Sequence, residues 1–241
     1  MTPSPEAQEK ENPQPPARRQ FFNFLFLKLD SGFRALLSNE KIVAKQEFSS
    51  ALESASKKLA IQAYSLQGLR ADCDFLLWRT VDDLALLQEN SRKILSSGVG
   101  KHLTPVYSYI SIPHPAAAPA AQEGKAGNSP VSISPGQPAL LVCPFTLGRR
   151  WRRLPRTERE KMTGELLAIK NEYSSAGFAA TFSIGIDGGN FLLTAETDCS
   201  ERVFVMLQNL REAAIGRTCG IEPAAFLCLR GDAHNLVGSL G

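Results

Sequence analysis

The chain has 241 residues, enough for one large domain or two of roughly 100–120 residues each. Its 27 Lys and Arg against 24 Asp and Glu leave a formal charge of +3, too small to point to nucleic acid by itself. No apolar run approaches the roughly 20 residues of a membrane-spanning helix, and five cysteines at scattered spacings without a CxxC argue against a disulfide framework or a zinc site.

Free thiols in a reducing compartment fit this composition better, and a cytoplasmic location is the expectation. Only three histidines exist (His102, His114 and His234), so a histidine-rich metal site cannot form within one chain. Residues 1–19, rich in Pro, Glu and Gln, read as a flexible tail. Arg18-Arg19 before an apolar run resembles an export signal, but the run from Phe21 to Leu27 is short, and Lys28 and Asp30 follow it. Alternating Phe22, Phe24 and Phe26 against Phe21, Asn23 and Leu25 instead suits a first strand buried on both faces.

From there the pattern predicts a helix near Glu40–Ala55, strands in "KKLAIQAYSLQG" and "DCDFLLWRT", a helix near Asp82–Leu95 and a strand "PVYSYISIP". Residues 114–138 are of low complexity and read as a flexible connection. Beyond them, "ALLVCPFTLG" reads as a strand. "EREKMTGELLAIKNEY" follows as a helix with Met162, Leu166, Ile169 and Tyr173 on its apolar face. Strands "GFAATFSIGID" and "NFLLTAETD", a helix near Glu201–Ala214 and a strand "AAFLCLR" complete the second block. Thr80-x-x-Asp83 and Thr157-x-x-Glu160 read as capping boxes, Ser200 as a further N-cap, and residues 232–241 as a loose tail.

The two blocks, 20–113 and 139–231, repeat one another. Tyr64-Ser65 matches Phe182-Ser183, Gly68 matches Gly185, and Phe75-Leu76-Leu77 matches Phe191-Leu192-Leu193. Each block runs βαββαβ, the ferredoxin-like plan. Two such α+β halves can pair sheet edges into a closed barrel ringed by helices, with an interior expected to be large enough for a cofactor or ligand.

The segments "FLFLKLD", "AYSLQGLRADCDFLLW", "VCPFTLGRRWRRLP", "EREKMTGELLAIKNEY" and "FSIGIDGGNFLLTAET" together resemble the chlorite dismutase superfamily, which includes the bacterial coproheme decarboxylases. The resemblance spans about residues 20–231. It implies a dimeric α+β barrel, usually a homopentamer, with heme in the C-terminal half.

Carried over position by position, the resemblance finds none of the heme-site residues. The family's proximal histidine lies eleven residues after the Pro of a Trp-x-x-Leu-Pro motif. Here the motif starts at Trp151 and ends at Pro155, so the position holds Leu166, which has no lone pair for iron. The decarboxylases' reactive tyrosine precedes a Pro, where Cys143 stands before Pro144, and their lysine four residues on is Leu147. The strand that carries a catalytic Arg or Gln in the family offers only Thr181 and Ser183 as polar side chains. Between 114 and 138, where the family places a propionate-binding arginine, the only cation is Lys125.

Cys143, Leu147, Trp151, Leu166 and Thr181 are therefore the candidates for a vestigial cavity, with no catalytic or metal-binding residue assigned. Leu166 reads as core packing. Cys143 reads as a small buried thiol, or alternatively as a thiolate that ligates iron or attacks a substrate. "RRWRRLPR" (149–156) reads as a solvated turn balanced by Glu158 and Glu160, or alternatively as a grip for phosphate or carboxylate. The three histidines read as surface residues.

The preferred functional expectation is a non-heme, non-catalytic member of the family: an oligomeric scaffold, an accessory subunit for a protein partner, or a binder of an apolar ligand. The alternative is a heme enzyme acting on peroxide, chlorite or coproheme with rearranged ligation. An anion- or nucleic-acid-binding role for the arginine segment is a third and weaker reading.

Overall fold

Why the chain closes on itself follows from its strand order. The computed structural model describes residues 20–113, 137–146, 148–173, 178–185, 190–219 and 225–239. The first half runs β1 (Phe21–Leu29), α1 (Ser31–Ala35), α2 (Ser38–Ser56), β2 (Ala60–Ser65), β3 (Phe75–Val81), α3 (Leu84–Ser96), a 3-10 turn at Gly98–His102 and β4 (Leu103–Pro113). The second runs β5 (Ala139–Thr146), α4 (Arg149–Arg153), α5 (Arg156–Tyr173), β6 (Phe178–Gly185), β7 (Asn190–Thr197), α6 (Ser200–Glu212), α7 (Ala214–Cys219), β8 (Phe226–Gly231) and α8 (Ala233–Ser239). Strand order β4-β1-β3-β2 in the first half recurs as β8-β5-β7-β6 in the second, each the ferredoxin-like order. Antiparallel pairing of β2 with β8 and of β4 with β6 joins the halves into a closed barrel, leaving no free edge.

The period-2 alternation of β1 sorts two cores. Phe22, Phe24 and Phe26 point into the barrel, while Leu25, Leu27 and Leu29 pack outward with Phe48 and Leu52 of α2. Phe26 and Phe226 lie on strands that are not neighbours, yet their rings are 4.3 Å apart, so the contact crosses the interior. Trp78 stacks on Phe24 at 5.3 Å, and side chains from seven of the eight strands join this inner cluster. The expectation of a cofactor-sized interior is thus corrected: among the described residues, large aromatic rings fill it.

Both ends of the barrel are polar. At one end Tyr64 Oη donates to Gln62 Oε1 (3.0 Å) and lies 3.4 Å from Glu196 Oε1, and Arg230 Nη1 lies 3.9 Å from the same carboxylate oxygen. At the other, Arg70 makes two bonds to Asp72 (2.8 and 2.6 Å) and covers the Phe226 ring at 4.6 Å, while Tyr107 Oη donates to Asp72 Oδ2 at 2.8 Å. The Arg70 hydrogen bonds, with that from Tyr107, hold the Asp72 carboxyl well below its usual range. Outside the barrel wall, the fully buried Arg79 guanidinium rests on Asn23 Oδ1 (3.0 and 2.6 Å) and Ser91 Oγ (2.7 Å), and burial pushes its pKa down to about 10.

Several local expectations are corrected. Thr80 pairs with Phe22 inside β3, so it does not open a capping box; Asp83 caps α3 by itself, accepting from Ala85 N at 2.8 Å. Cys199, not Ser200, takes the cap position of α6, and Thr157 falls inside the first turn of α5. The tail expected to be loose contains α8. Its Leu236 and Val237 are buried beside Phe48, and Lys45 Nζ donates to Gly238 O at 2.7 Å. The 3-10 turn meets α2 where only glycine fits: Gly98 has φ +40°, and a Cβ there would lie 2.0 Å from the Ala44 carbonyl oxygen. His102 at its end faces Asp30 Oδ1 at 3.2 Å and the Phe33 ring, a structural role. Residues 1–19 and 114–136, expected to be flexible, lie outside the described residues.

Candidate functional site

Helix α5 lies over the outer face of the C-terminal sheet, and the spacing of Met162, Leu166, Ile169 and Tyr173 turns that stripe inward. Beneath it, alternate residues of β5 (Leu141, Cys143, Phe145) and β7 (Leu193, Ala195) present an apolar surface; Cys143 pairs with Leu193 in register. Val203, Met206, Leu207 and Leu210 of α6 close the layer from the side. Leu166 is 0% exposed at its centre.

Three of the five candidate residues therefore meet. Cys143, Trp151 and Leu166 are buried in one apolar cluster. Thr181 sits on β6 opposite Thr194, and its side chain lies outside the described set, as does the whole of Leu147. The arginine segment is not a turn. Arg149–Arg153 forms α4, which turns Trp151 inward and leaves its four arginines exposed. Trp151 meets Phe191 edge-on at 6.3 Å, and Phe191 stacks on Phe145 at 5.7 Å. Arg156 is balanced by Glu160, with Nε to Oε1 at 2.7 Å.

The chemistry of this layer can be tested against a heme iron. Leu166 offers no donor. The Cys143 thiol is pushed up to about 12 by burial, opposed by Arg211, so in the absence of a metal it stays protonated at neutral pH and is a poor nucleophile there. Met162 and Met206 bring thioether sulfurs, which sequence reasoning did not weigh. Among the described residues no group of three His, Cys, Asp or Glu side chains could hold a metal ion. These side chains do not fit a histidine-ligated iron.

A matching pattern of two halves, helices and barrel invites comparison with known proteins. Residues 41–231 match the sequence profile of the family described as "Chlorite dismutase". The chain belongs to the chlorite dismutase family. A coproheme decarboxylase from Mycolicibacterium smegmatis is 24% identical over 180 residues, covering 73% of this chain and 75% of that protein. A mutant chlorite dismutase from Candidatus Nitrospira defluvii has the same fold, with a TM-score of 0.76 at 16% identity, covering 91% of this chain and 94% of that one. TA0507, a protein given a provisional chlorite dismutase assignment, has a TM-score of 0.76 at 17% identity over 93% of this chain and 100% of its own.

The other side of α5 went unnoticed in the sequence. Its one signal was Gly164, a residue that costs about 1 kcal/mol relative to alanine in a helix interior. Packing does not require it: a Cβ at Gly164 would meet nothing within 4 Å.

Proposed function

We propose that this chlorite dismutase-family protein works without a histidine-ligated heme, as an oligomeric accessory or ligand-binding protein rather than as a chlorite dismutase or coproheme decarboxylase. The observation that carries this reading is Leu166. The position where the resemblance places the family's iron ligand holds a fully buried leucine, packed against apolar side chains of β5, β7 and α6. Burial that keeps the Cys143 thiol protonated disfavours it as a substitute ligand.

Oligomerisation is supported by large apolar side chains left in solvent. Leu37 (67% exposed), Ile42 and Val43 cluster at the start of α2, and Phe204 (62%) and Val205 on α6. We take a homopentamer or related ring as the working state and the cytoplasm as its location. Sedimentation that returns a clean monomer at micromolar protein overturns the ring. The decisive experiment is heme titration of the purified chain followed by absorbance. No stoichiometric Soret band is expected. One heme per chain with a histidine- or thiolate-type spectrum overturns the reading in favour of a heme enzyme with rearranged ligation.

A further inference from the structure

Away from Leu166, α5 carries a second lining face. Arg156, Arg159, Gly164 and Leu167, with Trp151 and Phe191, bound a groove of about 570 Å3. Its wall is rigid and aromatic, because Phe191 is held between the stacked Phe145 ring and the edge of Trp151. Its floor is open because residue 164 has no side chain.

Arg159 supplies the polar feature. Its Nε is buried and has no hydrogen-bond partner. A buried donor left unpaired is costly, and a guanidinium cannot shed its proton to relieve that cost. The missing partner is therefore an acceptor, and a negative one is favoured. The charged lining points the same way: Arg156 is neutralised by Glu160, with which it pairs, so Arg159 gives the groove its net positive charge.

We propose that this groove binds a small organic oxyanion with a planar apolar body. The ring lies along Trp151 and Phe191, and an oxygen of its carboxylate or phosphate accepts from Arg159 Nε. This gives the ligand-binding role above a chemical class and rests on that reading, but through residues other than Leu166.

The test titrates 2-naphthoate into the full chain by calorimetry, beside the neutral 2-naphthylmethanol and inorganic phosphate alone. Naphthoate is expected to saturate at one per chain. The neutral alcohol and free phosphate should each bind at least about tenfold more weakly, the scale of one charge-assisted hydrogen bond. Arg159→Gln should weaken naphthoate about tenfold without changing the alcohol. Gly164→Leu puts a side chain into open space, so it should abolish binding of both while the melting temperature is retained.

Absence of saturable naphthoate binding overturns the proposal, as does equal affinity for acid and alcohol or for naphthoate and phosphate. Wild-type binding by Arg159→Gln and Gly164→Leu also overturns it, and leaves a water or a neighbouring subunit as the partner of Arg159. A wild type that takes up heme yet keeps this naphthoate pattern overturns only the non-heme reading. A heme-free wild type that ignores naphthoate overturns only this one.

Discussion

Replacing Leu166 by histidine tests the proposed ligand position by putting an imidazole into a site built for a hydrocarbon. Leu166 is 0% exposed, so its removal forfeits about 2–3 kcal/mol of burial. The imidazole brings two nitrogens among Cys143, Leu193 and Met206, side chains with only weak polar character, and leaving them unpaired costs about 1–3 kcal/mol more. Apo Leu166→His should therefore be roughly 3–6 kcal/mol less stable than wild type, a large share of a typical domain's stability. Heme that engages the new imidazole returns part of the loss: ligand at a hundred times its dissociation constant stabilises by about 2.7 kcal/mol. Urea denaturation with and without heme, beside an absorbance titration, reads both effects. Wild type should be indifferent to heme, whereas Leu166→His should be destabilised alone and partly restored by it. On the proposed function, Leu166→His should not confer chlorite-degrading or decarboxylase activity, since Cys143 and Leu147 are unchanged. A variant as stable as wild type would show that residue 166 is not packed in the core. A wild type that binds one heme per chain would show that the leucine is no obstacle.

Asn23→Leu should destabilise by about 3–5 kcal/mol, because it strands the buried Arg79 guanidinium, and adding Arg79→Met should recover most of that in urea denaturation. Asp72 has a folded pKa below its unfolded value near 3.8, so its contribution is complete above that pH and fades as pH falls below it. The melting-temperature gap between wild type and Asp72→Asn should accordingly be widest near neutrality and narrow as the pH drops below 4; a constant gap would refute the assignment. Cys143 and Cys228, whose pKa values burial raises, should resist a thiol reagent at pH 8 in the native protein and react on unfolding, with Cys199, half-exposed, reacting first among the described cysteines.

Much of the fold is legible where one periodicity dominates. The three inward phenylalanines of β1 and the 162-166-169-173 stripe of α5 each declare the face they bury. Signals that depend on partners distant in sequence are not legible. Thr80-x-x-Asp83 has the form of a capping box, but pairing with Phe22 keeps Thr80 in the sheet. The terminal Leu236-Val237 pair is too short a pattern to announce a helix until the Phe48 surface of α2 is present to receive it. Nor does alternation say that Phe26 and Phe226 meet across the barrel, which decides how much room the interior holds. At the candidate site, the resemblance nominates Cys143, Trp151 and Leu166 by motif position. It does not show that Cys143 and Leu166 share one packed layer with Met206, or that Arg159 carries an unpaired N–H.

The strand order has a mechanical corollary. Among the described residues, seven residue pairs join β1 to β3 and eight join β5 to β7, whereas each seam, β2 with β8 and β4 with β6, holds three. The two seams are equivalent, since each joins the second strand of one half to the fourth strand of the other. That is the geometry of an isologous homodimer written into a single chain. The peptide linking the halves keeps them at high effective concentration, so neither seam has to be strong enough to hold two free molecules together. Opening at the seams is then the lowest-energy breach of the barrel, and backbone amides of Ala63–Ser65 and Ser111–Ile112 should exchange with solvent ahead of those in the centre of β1.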